Sequence, residues 1–393
     1  MTVRLCVVSF KECWQDESGT WLSYGGFPLQ MAAVASLFDK TTLVIVRGRP
    51  RTGGIPLSGV TETIALRSPY GTDLRRKVSV LANLLYYVGT IGKHVRGADV
   101  VHVPAPGDMP LLGMLIALFF RKRLIVRYGS SWVTTSQTTV IHKLTRACMR
   151  QFAGGRNVML ATGEARAVPA KGLRWVFATA LSKSELDTIR PSLDRGLAQP
   201  PRLVYVGRLS LEKGVAVLIR ALGLLRDEGF HLLPVVMLVG DGPERRALEE
   251  LVEELGCSAW VKFAGHCNRG ELSSHLMNAD ICVQPSRTEG FSKAWLDAMA
   301  HGLPVLSSNV GAAAAVVGER EESARGWLVP PEDDRALAAA LRQAITGARD
   351  WPALRRRCRA YVESRTLEAW ARQIGDACAA QWNISIVDGK LRP

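Results

Sequence analysis

The eight cysteines of this 393-residue chain form no C-x-x-C pair and no His-flanked cluster, so a zinc site is not expected. They read as reduced, mostly buried thiols of a cytoplasmic protein. Long hydrophobic runs are also missing. The longest, Met109 to Phe120, is twelve residues and contains Pro110 and Gly113, too short to span a bilayer. The opening segment Val3 to Ser9 is shorter than an export h-region and reads as a first core strand. Aromatic residues are only 7% and nowhere build a stacking platform among basic residues, so nucleic acid is not an expected partner. Acidic residues are scarce in one half. Residues 1–190 hold 25 Lys and Arg against 11 Asp and Glu, whereas residues 191–393 hold 25 of each, so the whole net charge of +14 sits in the first half. A one-sided basic half implies an acidic partner, here an anionic membrane surface or a lipid diphosphate. A generally Arg-rich composition is the plainer alternative.

With 47% hydrophobic and 22% charged residues the chain is globular, and its length allows two or three domains. In the first half Arg4–Ser9, Thr42–Val46, Asp99–Val103 and Arg123–Arg127 read as strands. Helical patterns lie between them, around Phe27–Phe38, Asp73–Arg96 and Met109–Phe120. Such βαβ alternation implies a parallel sheet covered on both faces. Within Asp73–Arg96, Val78, Leu81, Leu84, Leu85, Val88 and Ile91 recur at helical spacing, which favours core packing. The basic runs 75–77, 93–96 and 121–123 would suit a membrane surface. Around residues 182–201 the pattern loosens at Arg190-Pro and Ala198-Gln-Pro-Pro201. A linker is therefore expected at 191–201, between a domain over 1–190 and one over 202–365.

The second half opens with a strand and loop, Arg202 to Gly214, leading into a helix. Arg208 and Lys213, five residues apart in a loop at strand carboxyl ends, can both reach a diphosphate and neutralise a leaving group. A surface salt bridge is the plain alternative. Val235–Val239 and Trp260–Ala264 read as strands, Gly240-Asp-Gly-Pro243 as a turn, and Asn268 with Glu271 as a capping box. After the apolar run ending at Pro285, Gly290 is expected to open a helix of about ten residues that Gly302 and Pro304 close. Backbone amides at such a turn, with the helix dipole behind them, suit a phosphate or a polarised sugar hydroxyl. Glu289 and Asp297 would lie just over two helical turns apart and could look the same way. Alternatively, Glu289 caps the helix and Asp297 is solvated.

The stretch from Glu289 to Asp297 resembles the E-x7-E segment of the retaining GT-B glycosyltransferases, with Asp297 in place of the second Glu. The pattern G-R-L-S-x-E-K-G over Gly207–Gly214 resembles the opening of that family's donor domain, and the resemblance covers residues 202–345, with the first half in outline. It implies an α/β fold of two Rossmann-like domains facing each other across a deep cleft, with residues 366–393 crossing back onto the first. It further implies a nucleotide-sugar donor on the second domain, a lipid-linked or polysaccharide acceptor on the first, retention of anomeric configuration, and neither metal nor other cofactor.

On the same resemblance Glu289, Arg208 and Lys213 are catalytic, and Asp297 holds the ribose hydroxyls. The amides of Gly290, Phe291 and Ser292 address the sugar and its phosphate, and Gly240, Asp241 and Gly242 border the nucleotide. Gly25 and Gly26 resemble the loop that meets the donor diphosphate. Arg127 and Tyr128 fall on the acceptor side. Tyr128 stands where relatives often carry the His of a His-Gly pair, so no role for a His carries over. The implied function is sugar transfer in bacterial cell-surface polysaccharide synthesis, by a cytoplasmic protein peripheral to the inner face of the cell membrane. A sugar-nucleotide epimerase of the same fold and a catalytically degenerate subunit are the alternatives. The G-R-L-S-x-E-K-G segment argues against the first, and the intact Arg208, Lys213 and Glu289 against the second.

Overall fold

A computed structural model of the chain describes residues 2–71, 73–132, 134, 138–165, 167–318 and 323–392. Two compact units emerge: Met1–Ala180 with Leu367–Pro393, and Leu181–Thr366.

The first unit runs β1 (Arg4–Gln15), β2 (Trp21–Ser23), α1 (Phe27–Ala35), β3 (Lys40–Arg47), β4 (Ile55–Pro56), β5 (Glu62–Leu66), α2 (Asp73–Ala82), α3 (Leu84–Gly97), β6 (Val100–Ala105), α4 (Asp108–Phe119), β7 (Arg123–Tyr128), α5 (Val140–Gln151), β8 (Asn157–Thr162) and β9 (Leu173–Val176). The order β5-β3-β1-β6-β7-β8-β9 is parallel throughout, and β2 and β4 add antiparallel pairing at the far end of β1. Parallel strands joined by helices need cover on both faces, which is why runs such as Val100-Val-His-Val103 are wholly buried. One face packs on α1 around Leu43, Ile125 and Leu160; the other packs on α3 and α4 around Val101, Val126 and Met114. The helix expected over Asp73–Arg96 is two helices. Asn83 separates them, its side-chain amide donating to the Ser79 carbonyl at 2.9 Å.

The second unit runs α6 (Lys183–Thr188), β10 (Arg202–Val206), α7 (Val215–Asp227), β11 (Val235–Val239), α8 (Arg245–Glu254), β12 (Val261–Gly265), α9 (Arg269–Met277), β13 (Ile281–Gln284), α10 (Lys293–Ala300), β14 (Val305–Ser308), α11 (Ala313–Val317), β15 (Gly326–Val329), α12 (Asp334–Thr346) and α13 (Trp351–Glu363). Its parallel sheet has the order β12-β11-β10-β13-β14-β15. The chain thus winds outward from β10 through β11 and β12, then returns to the other side of β10 with β13. That reversal opens a crevice at the carboxyl ends of β10 and β13, the place where open α/β sheets bind ligands.

Residues 191–201, expected as a linker, lie inside this second unit, which begins at Leu181. The reason is Asp280. Its carboxylate pairs with Arg195 at 2.5 Å and accepts from the backbone N–H groups of Ala198 and Arg202 at 3.2 and 2.9 Å.

After Thr366 the chain rejoins the first unit as α14 (Leu367–Trp382), β16 (Ser385–Val387) and β17 (Lys390–Arg392). Trp370, Ile374 and Cys378 of α14 complete the core beneath α1. The tail, silent in sequence, is a hairpin whose Leu391 is buried and whose Lys390 and Arg392 flank Asp39. Those cations, with the Val3 N–H, hold the Asp39 carboxyl well below the usual carboxylate range. Among the described residues no helix is long and apolar enough to cross a membrane.

Candidate functional site

The loop after β10 carries Arg208 and Lys213, and the loop after β13 carries Glu289, so the switch point of the second unit brings Lys213 and Glu289 together, with Arg208 on the same β10 loop. Two features fix the β10 loop. The buried Tyr205 donates its hydroxyl to the Arg208 carbonyl at 2.8 Å, leaving the Arg208 side chain exposed. A short turn over Leu211–Lys213 then ends at Gly214, whose φ is 63°. A Cβ at Gly214 would lie 2.1 Å from the Pro285 carbonyl oxygen, so only glycine lets the two loops meet. The Arg287 N–H donates to the Glu212 carbonyl at 2.9 Å across the same junction. There Lys213 Nζ meets Glu289 Oε2 at 2.5 Å, a pair largely sheltered from water.

Gly240, Asp241 and Gly242, at the end of β11, buttress that loop. A Cβ at Gly240 would lie 1.9 Å from the Gly207 carbonyl oxygen, and Leu209 N donates to the Asp241 carbonyl at 3.0 Å. The Asp241 carboxylate accepts from Gly242 N at 2.7 Å and pairs with Arg245 at 3.3 Å. Turn geometry and loop support account for these three residues before any nucleotide is invoked.

The helix after β13 starts at Lys293, not at Gly290. Glu289–Ser292 remain an extended turn because the Gly290 carbonyl accepts from Ala312 N at 3.0 Å, tying the segment to the loop after β14. Gly290, Phe291 and Ser292 are buried in that turn, and the Ser292 side chain makes no cap bond to α10. Glu289 and Asp297 therefore do not share a helix face. Glu289 turns to Lys213. Asp297, in the middle of α10, turns to Arg269 at 3.1 Å, which also holds Glu185 at 2.5 Å. His301 closes the cluster, its Nδ1 against the Asp297 carbonyl and its Nε2 against Ser273 Oγ, both at 2.8 Å. Burial pushes the Glu185 carboxyl up and the His301 imidazole down. Sequence reading missed Glu185, Arg269 and His301. The capping box at Asn268 and Glu271 places Arg269 at the first position of α9, and it was the available signal.

The remaining candidates belong to the first unit. Gly25, at φ 75°, and Gly26 lead into α1. Arg127 is only 8% exposed; its Nη2 donates to Gln30 Oε1 at 3.3 Å and its guanidinium lies 5.4 Å from the Trp370 ring centroid. Burial pulls it down to about 10. Tyr128 is fully buried at the end of β7, edge-on to Trp132 and beneath Arg146. Its ring belongs to the core of the first unit.

Residues 194–365 match the family model of the group 1 glycosyl transferases. A sulfoquinovosyl transferase of Arabidopsis thaliana is 25% identical over 260 residues, 62% of this chain and 49% of that protein. An amylovoran biosynthesis glycosyltransferase of Erwinia amylovora is 33% identical over 174 residues, 43% of this chain and 42% of that protein. The chain thus matches half or less of the length of these curated relatives. Among solved structures, Anabaena HepE in complex with UDP and glucose superposes with a TM-score of 0.68 over 97% of this chain and all of that one, at 18% identity. The shared architecture is the GT-B fold. Over residues 194–365, the chain is therefore similar to the group 1 glycosyl transferases.

Proposed function

We propose that this protein moves a sugar from a nucleotide-sugar donor, held by the second unit, to a lipid-linked or saccharide acceptor, with retention of anomeric configuration. The observation that carries the reading is the meeting of Lys213 and Glu289 at the switch point, with Arg208 exposed on the same β10 loop, beside the turn that leads into α10. As the bond between sugar and diphosphate breaks, negative charge gathers on the diphosphate. Arg208 and Lys213 are placed to meet it, so neither metal nor other cofactor is required in this reading. Glu289 pairs with Lys213 across the junction of the two loops. Support for the donor class comes from HepE, which is described with UDP and glucose, and for cell-surface polysaccharide synthesis from the amylovoran enzyme. The acceptor is reached at the inner face of the cell membrane. Incubation with a panel of labelled nucleotide sugars and bacterial membrane extract tests the proposal: one donor is expected to label the extract, and no labelling with any donor overturns it.

Asp297 is the ribose ligand in this reading, although its Oδ1 already pairs with Arg269. Asp297→Ala should raise the Kd for the donor nucleotide about tenfold, in line with roughly 1.5–3 kcal/mol for a hydrogen bond to a charged group. Asp297→Glu should be tolerated and acceptor affinity unchanged. Arg269→Ala separates the two duties, because it frees Asp297 without removing it. Equal nucleotide affinity in wild type and Asp297→Ala, by calorimetric titration, would make Asp297 a packing residue.

A further inference from the structure

The apolar stripe of Asp73–Arg96, expected to pack inward, does so only in part. Tyr87, Ile91 and Val95 of α3 face the core. Val78 and Leu81 of α2 and Leu85 and Val88 of α3 face outward, with Leu81 71% and Leu85 88% exposed. Helix α3 packs beside α4, whose last residue, Phe119, is 80% exposed with its ring 5.2 Å from that of Phe120. Val88 and Phe120 line one shallow depression of about 610 Å³ together with Lys93 and Arg96. A single exposed leucine needs no explanation, but a row of them joined to an aromatic pair marks an interaction surface.

Charge identifies the partner. Residues 75–123 contain eight Lys and Arg but only two acids, Asp99 and Asp108, and Arg4 and Arg76 pair with these two. Arg75, Lys77, Lys93, Arg96 and Arg121 are exposed around the apolar row. Two other cations are engaged elsewhere: Lys122 donates to the carbonyls of Arg96 and Ala98, and Arg123 lies over the Trp382 ring. Protruding side chains on convex helices need matching pockets in a protein partner. A bilayer surface accepts them without any. Aliphatic and aromatic side chains rimmed by Lys and Arg are the composition of an interfacial face drawn to anionic lipid.

We propose that the outer face of α2, α3 and the end of α4 docks on an anionic lipid bilayer, with Leu85 and Phe119 entering the headgroup layer and the five exposed cations meeting the lipid charge. The purpose of docking rests on the lipid-linked acceptor reading above; its geometry does not, so docking and transfer are measured apart. The full chain is sedimented with vesicles of phosphatidylcholine plus phosphatidylglycerol, and with phosphatidylcholine alone. Binding is expected only to the anionic vesicles and should weaken as salt shortens the Debye length toward about 8 Å at physiological ionic strength. The double variant Leu85→Asp, Phe119→Asp should lower vesicle affinity about tenfold or more while leaving the circular dichroism and melting temperature unchanged. A triple variant, Arg75→Gln, Lys93→Gln, Arg96→Gln, should also weaken binding and flatten its salt dependence. The rise in melting temperature produced by UDP should be the same in all these proteins. Wild type that stays in solution with anionic vesicles at low salt overturns the docking proposal, as do variants that bind like wild type. A dimer broken by Leu85→Asp would give the face to a second copy and overturn it too. If no nucleoside diphosphate of a panel (UDP, GDP, ADP, CDP, TDP) shifts the melting temperature while vesicle binding persists, the donor reading fails and docking stands.

Discussion

If the protein transfers sugar as proposed, replacing Lys213 by Ala should lower kcat by about 10²–10³, the loss of roughly 2.7–4 kcal/mol that follows removal of one preorganised electrostatic contact to transition-state charge. The geometry explains why the effect falls on turnover. Lys213 is matched by Glu289 at 2.5 Å, so its charge is already balanced by a neighbouring carboxylate. It gains most when charge appears on the leaving diphosphate, and only interactions stronger in the transition state accelerate chemistry. The fold should persist, because Lys213 sits on a short turn whose position is set by Gly214 and by the Arg287 N–H bond to the Glu212 carbonyl. Arg208→Ala should behave alike, since its exposed side chain hangs from a backbone fixed by Tyr205. One confounding effect needs removal: Lys213→Ala leaves the Glu289 carboxylate unpaired in a sheltered site. Pairing it with Glu289→Gln distinguishes the causes. If the defect were only the stranded carboxylate, the double variant would recover turnover relative to Lys213→Ala, to the level of Glu289→Gln; if Lys213 meets the leaving group, the double variant falls well below Glu289→Gln. Turnover like that of wild type in Lys213→Ala, at saturating donor, would remove this residue from the chemistry.

How much of this was legible in sequence divides along physical lines. Strands such as Val235–Val239 could be read because a parallel strand covered on both faces is a short unbroken apolar run. The capping box at Asn268 and Glu271 was equally local, and both of its hydrogen bonds are present. What failed depended on distant partners. The expected start of α10 at Gly290 was wrong because Ala312 captures the Gly290 carbonyl, a contact no local pattern encodes. The paired acids Glu289 and Asp297 part company because Lys213 and Arg269, each far along the chain, claim one apiece. The outward stripe on α2 and α3 misled for the opposite reason. Apolar periodicity identifies a face but cannot say whether protein or something else covers it.

The linker expected at 191–201 failed in the same way, and its cause supports a second large effect: Asp280→Ala destabilises the protein by about 3–5 kcal/mol, the usual consequence of removing one member of a buried ion pair. Asp280 is completely buried at the head of β13. Its Oδ1 faces Arg195 at 2.5 Å and Arg355 at 3.5 Å, while its Oδ2 takes the N–H groups of Ala198 and Arg202. Arg355 is 1% exposed, and its other partners include the carbonyls of Arg195, Gly196 and Gly302 and the face of the Trp351 ring, none of which carries a net charge. Burial and the neighbouring Arg195 already pull Arg355 down to about 10, so losing the Asp280 charge strands a cation that is poorly solvated. Asp280→Asn should cost less than Asp280→Ala, because one amide oxygen can still accept from Ala198 or Arg202. The double variant Asp280→Leu, Arg355→Met should recover much of the loss, since apolar side chains of similar volume often replace a buried pair at little cost. Urea denaturation provides the measurement, and a loss below about 1 kcal/mol in Asp280→Ala, within the range of an exposed pair, would reject the argument. Because residues 195–202 lead directly into β10, weakening their anchor should also loosen the loop that presents Arg208 and Lys213. Asp280→Ala assayed well below its melting temperature should therefore lose kcat without acquiring any new charge at the crevice, whereas unchanged kcat in the folded fraction would show that the β10 loop does not depend on the Asp280 anchor.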